Sequence, residues 1–436
     1  MCAHPNPNAS NTTLKIIVVG AGLSGLSAAI SCLLAGHDVI VLEGAKELAE
    51  IGAGLQITPN ASKIFQHFGI FEALEAKAAE PTFLQVRRYS DGKILSRTDD
   101  FNLEMRRKYG APFWDLHRVD VQLALVARAK ELGAEIRLDA RVVDVDFDTP
   151  SLTLQNGEKL QGDLLIGADG LWSRCREKFL ARKEQADAPL PTGDLAYRIV
   201  LRSEDLDDPE LKDWISKPSC QFWIGPGAHV VAYSLRDGKM FNIVLLVPDD
   251  LPANVSKQQG SLDEMRALFN SWDPVLNRFL DCVKTVDKWK LMHRPELESW
   301  VSEKNNFVFV GDSCHPMLPY LAQGANSSIE DGAVLGKLLA ALESKEQLPQ
   351  ALHLYQTLRK KRGEAIVRET FAQRKDFHMD DGAEQQTRDD LMLSQLGKEI
   401  NCKFPSRWQC PEVQPWLYGY DAWKEVEVAL QESPFT

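Results

Sequence analysis

The sequence is short of positive charge: 50 Lys and Arg stand against 62 Asp and Glu, for a net charge of −12. Nucleic acid and anionic membrane surfaces both call for basic patches, so neither is expected as a partner, and no aromatic–basic interleaving offsets the deficit. Paired cysteines are missing as well. The eight cysteines, at 2, 32, 175, 220, 282, 314, 402 and 410, form no CxxC pair. A chain of 436 residues that is 44% hydrophobic builds a core without staples, so reduced thiols and a cytoplasmic location are expected. No metal site is expected, because His315 beside Cys314 lacks further ligands at a workable spacing. Long apolar runs are limited to one, "LKIIVVGAGLSGLSAAISCLLAG" (14–36). The 13 residues before it carry no Lys or Arg, and glycines divide it, so it reads as neither signal peptide nor membrane anchor.

That divided run is the first informative feature. Leu14 to Val19 reads as a buried strand, "GAGLSG" as a turn, and Leu26, Ala29, Ile30, Leu33 and Leu34 as one face of a helix. Gly20, Gly22 and Gly25 have the GxGxxG spacing, in which the glycines allow a tight turn, close approach of backbone to a pyrophosphate, and close packing of helix on strand. Leu23 and Ser24 open the helix, whose first N–H groups point at a bound phosphate. Glu43 ends the next strand, 18 residues after Gly25, where a carboxylate accepts ribose hydroxyls and repels a 2′-phosphate. The adenosine held there is therefore that of FAD or NAD. No second fingerprint of this kind occurs.

Further along, residues 118 to 132 are helical by pattern, and 135 to 166 hold short strands with a hairpin turn, "NGEK", at 156–159. From about 180 the composition changes. "DLAYRIVLR", "CQFWIG", "HVVAYSL" and "MFNIVLLV" are β-rich runs between turns, as in an antiparallel sheet. "NFVFVGD" (306–312) returns to the buried parallel type, and an amphipathic helix is expected over about 349 to 377. The expected organisation is a tail at 1–13, a discontinuous nucleotide domain at 14–180 and 298–365, an inserted sheet domain at 181–297, and a helical, aromatic-rich extension at 366–436. Ser327 and Glu330 match the S-x-x-E capping box, which puts a helix start at Ser327 with Glu330 and Asp331 in its first turn.

Taken together, "GAGLSG", "IGAGLQITPNA" (51–61), "LHRVDVQ" (116–122), "GADGLWSRCR" (167–176), "AYRIVL" (196–201), "GDSCHPMLPYLAQGAN" (311–326) and "QPWLYGYD" (414–421) carry a resemblance. The chain resembles the group A flavin-dependent aromatic hydroxylases over roughly residues 14 to 423, and within them the fungal salicylate-hydroxylase-like proteins. The resemblance implies an α/β fold: a Rossmann-like FAD-binding domain, an inserted antiparallel β-sheet substrate domain and C-terminal helices. It implies FAD as cofactor and NADPH or NADH as co-substrate, with no separate fingerprint for the latter. The partners implied are an aromatic small molecule and O2, with no nucleic acid and no membrane anchor; assembly as a homodimer stays open. The implied reaction is hydroxylation of an electron-rich ring by a flavin C4a-hydroperoxide. It would be salicylate-type decarboxylative hydroxylation, or hydroxylation or dearomatisation of a polyketide phenol.

The same resemblance implies the site. Asp312 would bond the ribityl chain, and Arg118 would lie beside the phosphates and that chain. Asp169 would belong to a motif tied to FAD and nicotinamide, although an Asp there can also cap a turn. Gly54, Gly324, Ala325 and Asn326 would line the flavin, with N–H groups near the helix start facing the locus that gains negative charge on reduction. His315 is taken as structural. Arg198 is the candidate for binding phenolate or carboxylate, with the alternative that it simply alternates outward on a half-buried strand. Tyr233 and His229 are candidates for substrate hydroxyl contacts, or else strand residues of core or surface. Rival activities are oxygenation of a non-phenolic metabolite, a halogenase (whose Trp-rich GWxWxIP segment is absent) and a non-enzymatic FAD-binding redox protein. Purified protein is expected to be yellow with flavin absorbance bands; a colourless protein that cannot be reconstituted with FAD removes every one of these readings.

Overall fold

Five short apolar strands place the nucleotide motifs. In the computed structural model, which describes residues 10–48 and 53–436, they form a wholly parallel sheet. Its order is Phe307–Phe309, Leu164–Gly167, Lys15–Val19, Asp38–Leu42, Glu135–Arg137. Runs such as KIIVV and DVIVL suit this position, because a parallel strand is covered on both faces. Val19 is level with Gly167, and Gly167 with Phe309, so the loops after these three strands emerge side by side. "GAGLSG", "GADG" and "GDS" therefore meet at the carboxyl edge of one sheet, where doubly wound folds bind ligands.

Close backbone contacts keep them together. Gly20 has φ +107°, and a Cβ there would stand 2.4 Å from the Ala168 carbonyl oxygen. Gly311 has φ +66°, and its Cβ would meet Ser24 at 2.7 Å. Helix Leu23–Leu34 packs on helix Gln323–Ala340 through Gly332 and Gly336, where a Cβ would come within 2.6 Å and 2.3 Å of atoms of residues 28 and 31.

The second sheet has eight strands and is antiparallel apart from one junction. Leu190–Arg202, Met240–Pro248, Ala228–Leu235 and Ser219–Gly225 form its centre, as the β-rich runs predict. The expected boundary at 181 is corrected by two strands from far upstream. Phe83–Arg88 pairs in parallel with Ser219–Gly225, and Ile94–Asp99 pairs with Phe83–Arg88. A boundary at 365/366 also fails, since one helix runs unbroken through it, Leu348–Phe377. The part beyond it is not a separate appendage: Phe404 and Trp408 share a core with Leu84, Val86 and Phe222 of the sheet.

Strand alternation divides this sheet. Leu195, Tyr197, Ile199, Val230, Ala232, Ile243 and Leu245 point to one face and pack under helices Pro209–Ser216, Leu262–Phe269 and Pro274–Asp281. The intervening residues point the other way, towards the parallel sheet and the C-terminal segment. At the other end of the chain, residues 1–9 of the expected tail lie outside the described residues. Ser10, by contrast, is anchored, since its N–H donates to the Ala35 carbonyl at 2.8 Å and its hydroxyl to that of Leu342 at 2.6 Å.

The capping-box expectation is corrected. The helix starts at Gln323, after Ala322 in the left-handed region at φ 51°, and no acid lies in its first turn. Ser327, Glu330 and Asp331 are buried inside it. Arg359, fully buried, reaches Glu330 at 2.7 Å and Asp331 at 2.8 Å, and Arg362 reaches Glu330 at 2.9 Å. His315 meets Asp331 at 2.6 Å, in the structural role expected of it. Burial works against these charges, yet Arg362, Arg359 and His315 together hold both carboxyls below their usual range. Replacing Arg359 with Met takes away the cation shared by two buried carboxylates, leaving Glu330 to Arg362 and Asp331 to His315, and should lower the unfolding free energy by about 3 kcal/mol, read as a fall in denaturant midpoint.

Candidate active site

A cleft of about 310 Å³ lies between the two sheets. Its nucleotide side is made by Gly22, Leu23 and Ser24 from the first motif, Ala168 and Gly170 from the second, and Asp312, Gly324 and Ala325 from the third. Strand Gly54–Ile57 and Arg118 close one end. The opposite wall is the inner face of the large sheet, with Ala196 and Arg198, Val244 and Leu246, Val231 and Tyr233. Arg198 is level with Val244, and Val244 with Val231, so three neighbouring strands supply the wall.

The residues present fit FAD. Helix Leu23–Leu34 begins with no side-chain cap and no first-turn acid, so its N-terminal N–H groups are left for an anion. Among the described residues a Cβ on Gly22 would meet nothing within 4 Å, which leaves room for phosphates to approach the backbone. Glu43 follows strand Asp38–Leu42 and is fixed by the N–H groups of Ala21 at 3.0 Å and Ala45 at 2.8 Å. Each carboxylate oxygen keeps a lone pair for a ribose hydroxyl. Asp312 is exposed at the cleft. Protein packed around its carboxyl raises its pKa, with His315 and Arg118 opposing. Gly324 and Ala325 lie in the first turn of helix Gln323–Ala340, so their N–H groups belong to a helix start rather than to a preceding turn.

Some expected residues stand back from the cleft. Gly20 and Gly25 shape the turn behind it, and Gly25 could not bear a Cβ, which would fall 2.0 Å from the Gly20 carbonyl oxygen. Asp169 takes the capping alternative: it accepts from the Ser173 hydroxyl at 2.5 Å and the Cys175 N–H at 2.9 Å. Asn326 is a clasp, accepting from the Thr58 N–H at 3.0 Å and donating to the Gln56 carbonyl at 2.9 Å. His229 is corrected as a substrate contact. It is buried below Tyr320 and Phe377, with its Nδ1 2.6 Å from Nε2 of His378.

Gly54 has a clear reason to be glycine, since a Cβ would stand 2.5 Å from the Tyr233 ring. Its N–H donates to Asn242 at 2.8 Å, tying the two halves of the cleft. Leu55, Gln56, Val231, Val244, Leu246 and Met317 also line the cleft but were not singled out in the sequence. Their only signal was period-two alternation beside Arg198 and Tyr233, or proximity to a motif.

Residues 13–370 match the family described as FAD binding domain. This chain belongs to that family. An FAD-dependent monooxygenase of Beauveria bassiana (strain ARSEF 2860), OpS4, is 51% identical over 94% of this chain and 95% of its own. The 3-hydroxybenzoate 6-hydroxylase of Polaromonas naphthalenivorans (strain CJ2) is 32% identical, covering 94% of this chain and 96% of its own. A solved salicylate hydroxylase substrate complex superposes with a TM-score of 0.78 at 22% identity, over 96% of this chain and 98% of the other, which shows the common fold. The chain is thus an FAD-dependent monooxygenase of the aromatic hydroxylase type, and the non-enzymatic reading falls away.

Glu43→Arg replaces the carboxylate held by the Ala21 and Ala45 N–H groups, and Asp312→Ala removes the carboxylate facing the cleft. Each should weaken FAD binding about tenfold or more, measured as flavin retained after dialysis; full retention in both variants would exclude these two residues from the FAD site.

Proposed function

We propose that this monooxygenase hydroxylates a phenolic or aromatic-acid ring, using electrons from NADPH or NADH and oxygen from O2. Salicylate-type decarboxylative hydroxylation, and hydroxylation or dearomatisation of a polyketide phenol, are the forms this would take. One observation carries the reading: the cleft wall facing the FAD-binding loops is apolar except for Arg198 and Tyr233. An aromatic ring with one ionised oxygen suits a surface of that kind. The relatives named as monooxygenases and as a hydroxybenzoate hydroxylase support the same class.

Bound FAD would supply the redox and oxygen-transfer chemistry. The chain's own residues do the rest. Arg198 stays charged at any working pH and stabilises a phenolate or carboxylate, making the ring more nucleophilic. Its guanidinium lies 5.0 Å from the centre of the Trp289 ring, which limits where the charge can move. Burial pushes the Tyr233 hydroxyl well above its usual range, with Asp115 and Cys220 adding and Arg198 opposing. Tyr233 therefore remains a hydrogen-bond donor. Ala196, Val231, Val244 and Leu246 exclude water around the ring, which favours product over wasted reductant. N–H groups at the start of helix Gln323–Ala340, undiminished by first-turn acids, face the cleft and would stabilise negative charge there.

Arg198→Ala should retain FAD while losing coupled hydroxylation by about two orders of magnitude, the scale of losing one preorganised charge contact. The check scores NAD(P)H oxidation and product mass together across a panel of phenols and aromatic acids. Normal product formation by this variant would remove Arg198 from the mechanism.

A further inference from the structure

Beside the cleft lies a buried polar cluster that the chemistry above leaves unused. Asp115 sits on strand Trp114–His117, which pairs with Gly54–Ile57 so that Asp115 is level with Gln56. Asp115 is completely buried. The Gln56 amide nitrogen donates to Asp115 Oδ1 at 2.9 Å and to Cys220 Sγ at 3.3 Å. Cys220 is in turn level with Tyr233 on the neighbouring strand, so the cluster abuts the polar end of the cleft wall. Gln56 is itself a cleft residue.

The hydrogen-bond arithmetic is informative. A glutamine amide has two N–H donors and one carbonyl acceptor. Here both partners of the amide nitrogen belong to the buried cluster, which leaves Oε1, a pure acceptor, as the amide atom available to the cleft that Gln56 lines. Among the described residues Asp115 Oδ2 has no hydrogen-bond partner. Burial pushes the Asp115 carboxyl well above its usual range, and its Oδ1 is the acceptor for Gln56. Apart from the polar side chains of the nucleotide-binding segments, the cleft thus presents two donors, Arg198 and Tyr233, and one acceptor, Gln56.

We propose that Gln56 is a specificity-determining acceptor, oriented by Asp115, which selects an aromatic ring carrying a hydroxyl donor in addition to the oxygen held by Arg198 and Tyr233. The inference rests on the aromatic-substrate reading above and narrows it to dihydroxylated rings. A ring without the second hydroxyl leaves Oε1 desolvated and unpaired, and that penalty, rather than any gain in apolar contact, sets the preference. Asp115 is a positioning residue. It touches no substrate and acts by preventing the amide from rotating its N–H groups towards the cleft.

The test is equilibrium binding to the FAD-loaded protein, followed by flavin difference absorbance and by tryptophan fluorescence quenching. The probes are 2-hydroxybenzoate against 2,3-, 2,4-, 2,5- and 2,6-dihydroxybenzoate, and phenol against resorcinol. At least one dihydroxylated ring should bind about tenfold more tightly than its monohydroxy partner, the equivalent of one hydrogen bond at a buried polar atom. Gln56→Leu should erase that difference while retaining flavin. Asp115→Asn keeps an uncharged acceptor oxygen for Gln56 and should preserve the preference, whereas Asp115→Leu should lose it. Equal binding of both kinds of ring by the unaltered protein, or a preference that survives Gln56→Leu, overturns the inference and leaves the aromatic-substrate reading standing. An unaltered protein that binds none of these rings overturns both.

Discussion

The structure turns on a buried ionic cluster between two helices. Glu330 and Asp331 lie in the middle of helix Gln323–Ala340, and Arg359 and Arg362 project at them from helix Leu348–Phe377. Asp331 also accepts from the Gly311 N–H at 2.8 Å and pairs with His315. Glu330 accepts from Asn60 at 2.6 Å, reaching the helix after strand Gly54–Ile57. One cluster therefore fixes the turn that bears Asp312, the start of the helix that bears Gly324, and the strand that bears Gly54 and Gln56. Buried charges are costly when unpaired, so such a network holds one arrangement and penalises others.

From that anchor the division of labour follows. The parallel sheet brings three glycine-containing loops level, and the cluster holds the third of them against the first. The large sheet then contributes a wall whose outward residues are covered by helices and whose inward residues meet the loops. Because side chains alternate along a strand, the same segments serve as core on one face and as cleft on the other. Tyr197 and Arg198 illustrate this: the first packs into the outer core and the second opens onto the cleft.

Much of this was legible in the sequence, for reasons that are local. GxGxxG after an apolar strand, Glu43 after the next strand and Gly311-Asp312 after a third each rest on backbone conformation over a few residues. Arg198 was readable through a family resemblance and Tyr233 only as a strand residue, and both alternate with core residues. The errors were of another kind. Ser327 and Glu330 have the spacing of a capping box, but Glu330 is claimed by Arg362 and Arg359 from a helix about thirty residues on, so the helix starts earlier. His229 has a strand pattern that places it on the cleft face, yet residues 320, 377 and 378 cover it. Asp169 is no such error, since it takes the capping alternative that the sequence had left open.

What the sequence determined by itself was therefore the set of loops that can hold a dinucleotide, because turn geometry and helix starts depend on neighbours along the chain. Only the tertiary structure decided which side chains share the cleft. Strands from 83–99 join a sheet built mainly from 190–248, Gly54 must yield space to Tyr233, and Gln56 is turned by Asp115 and Cys220. Those partners are separated by tens to hundreds of residues, and their contacts are set by packing and desolvation rather than by any local pattern.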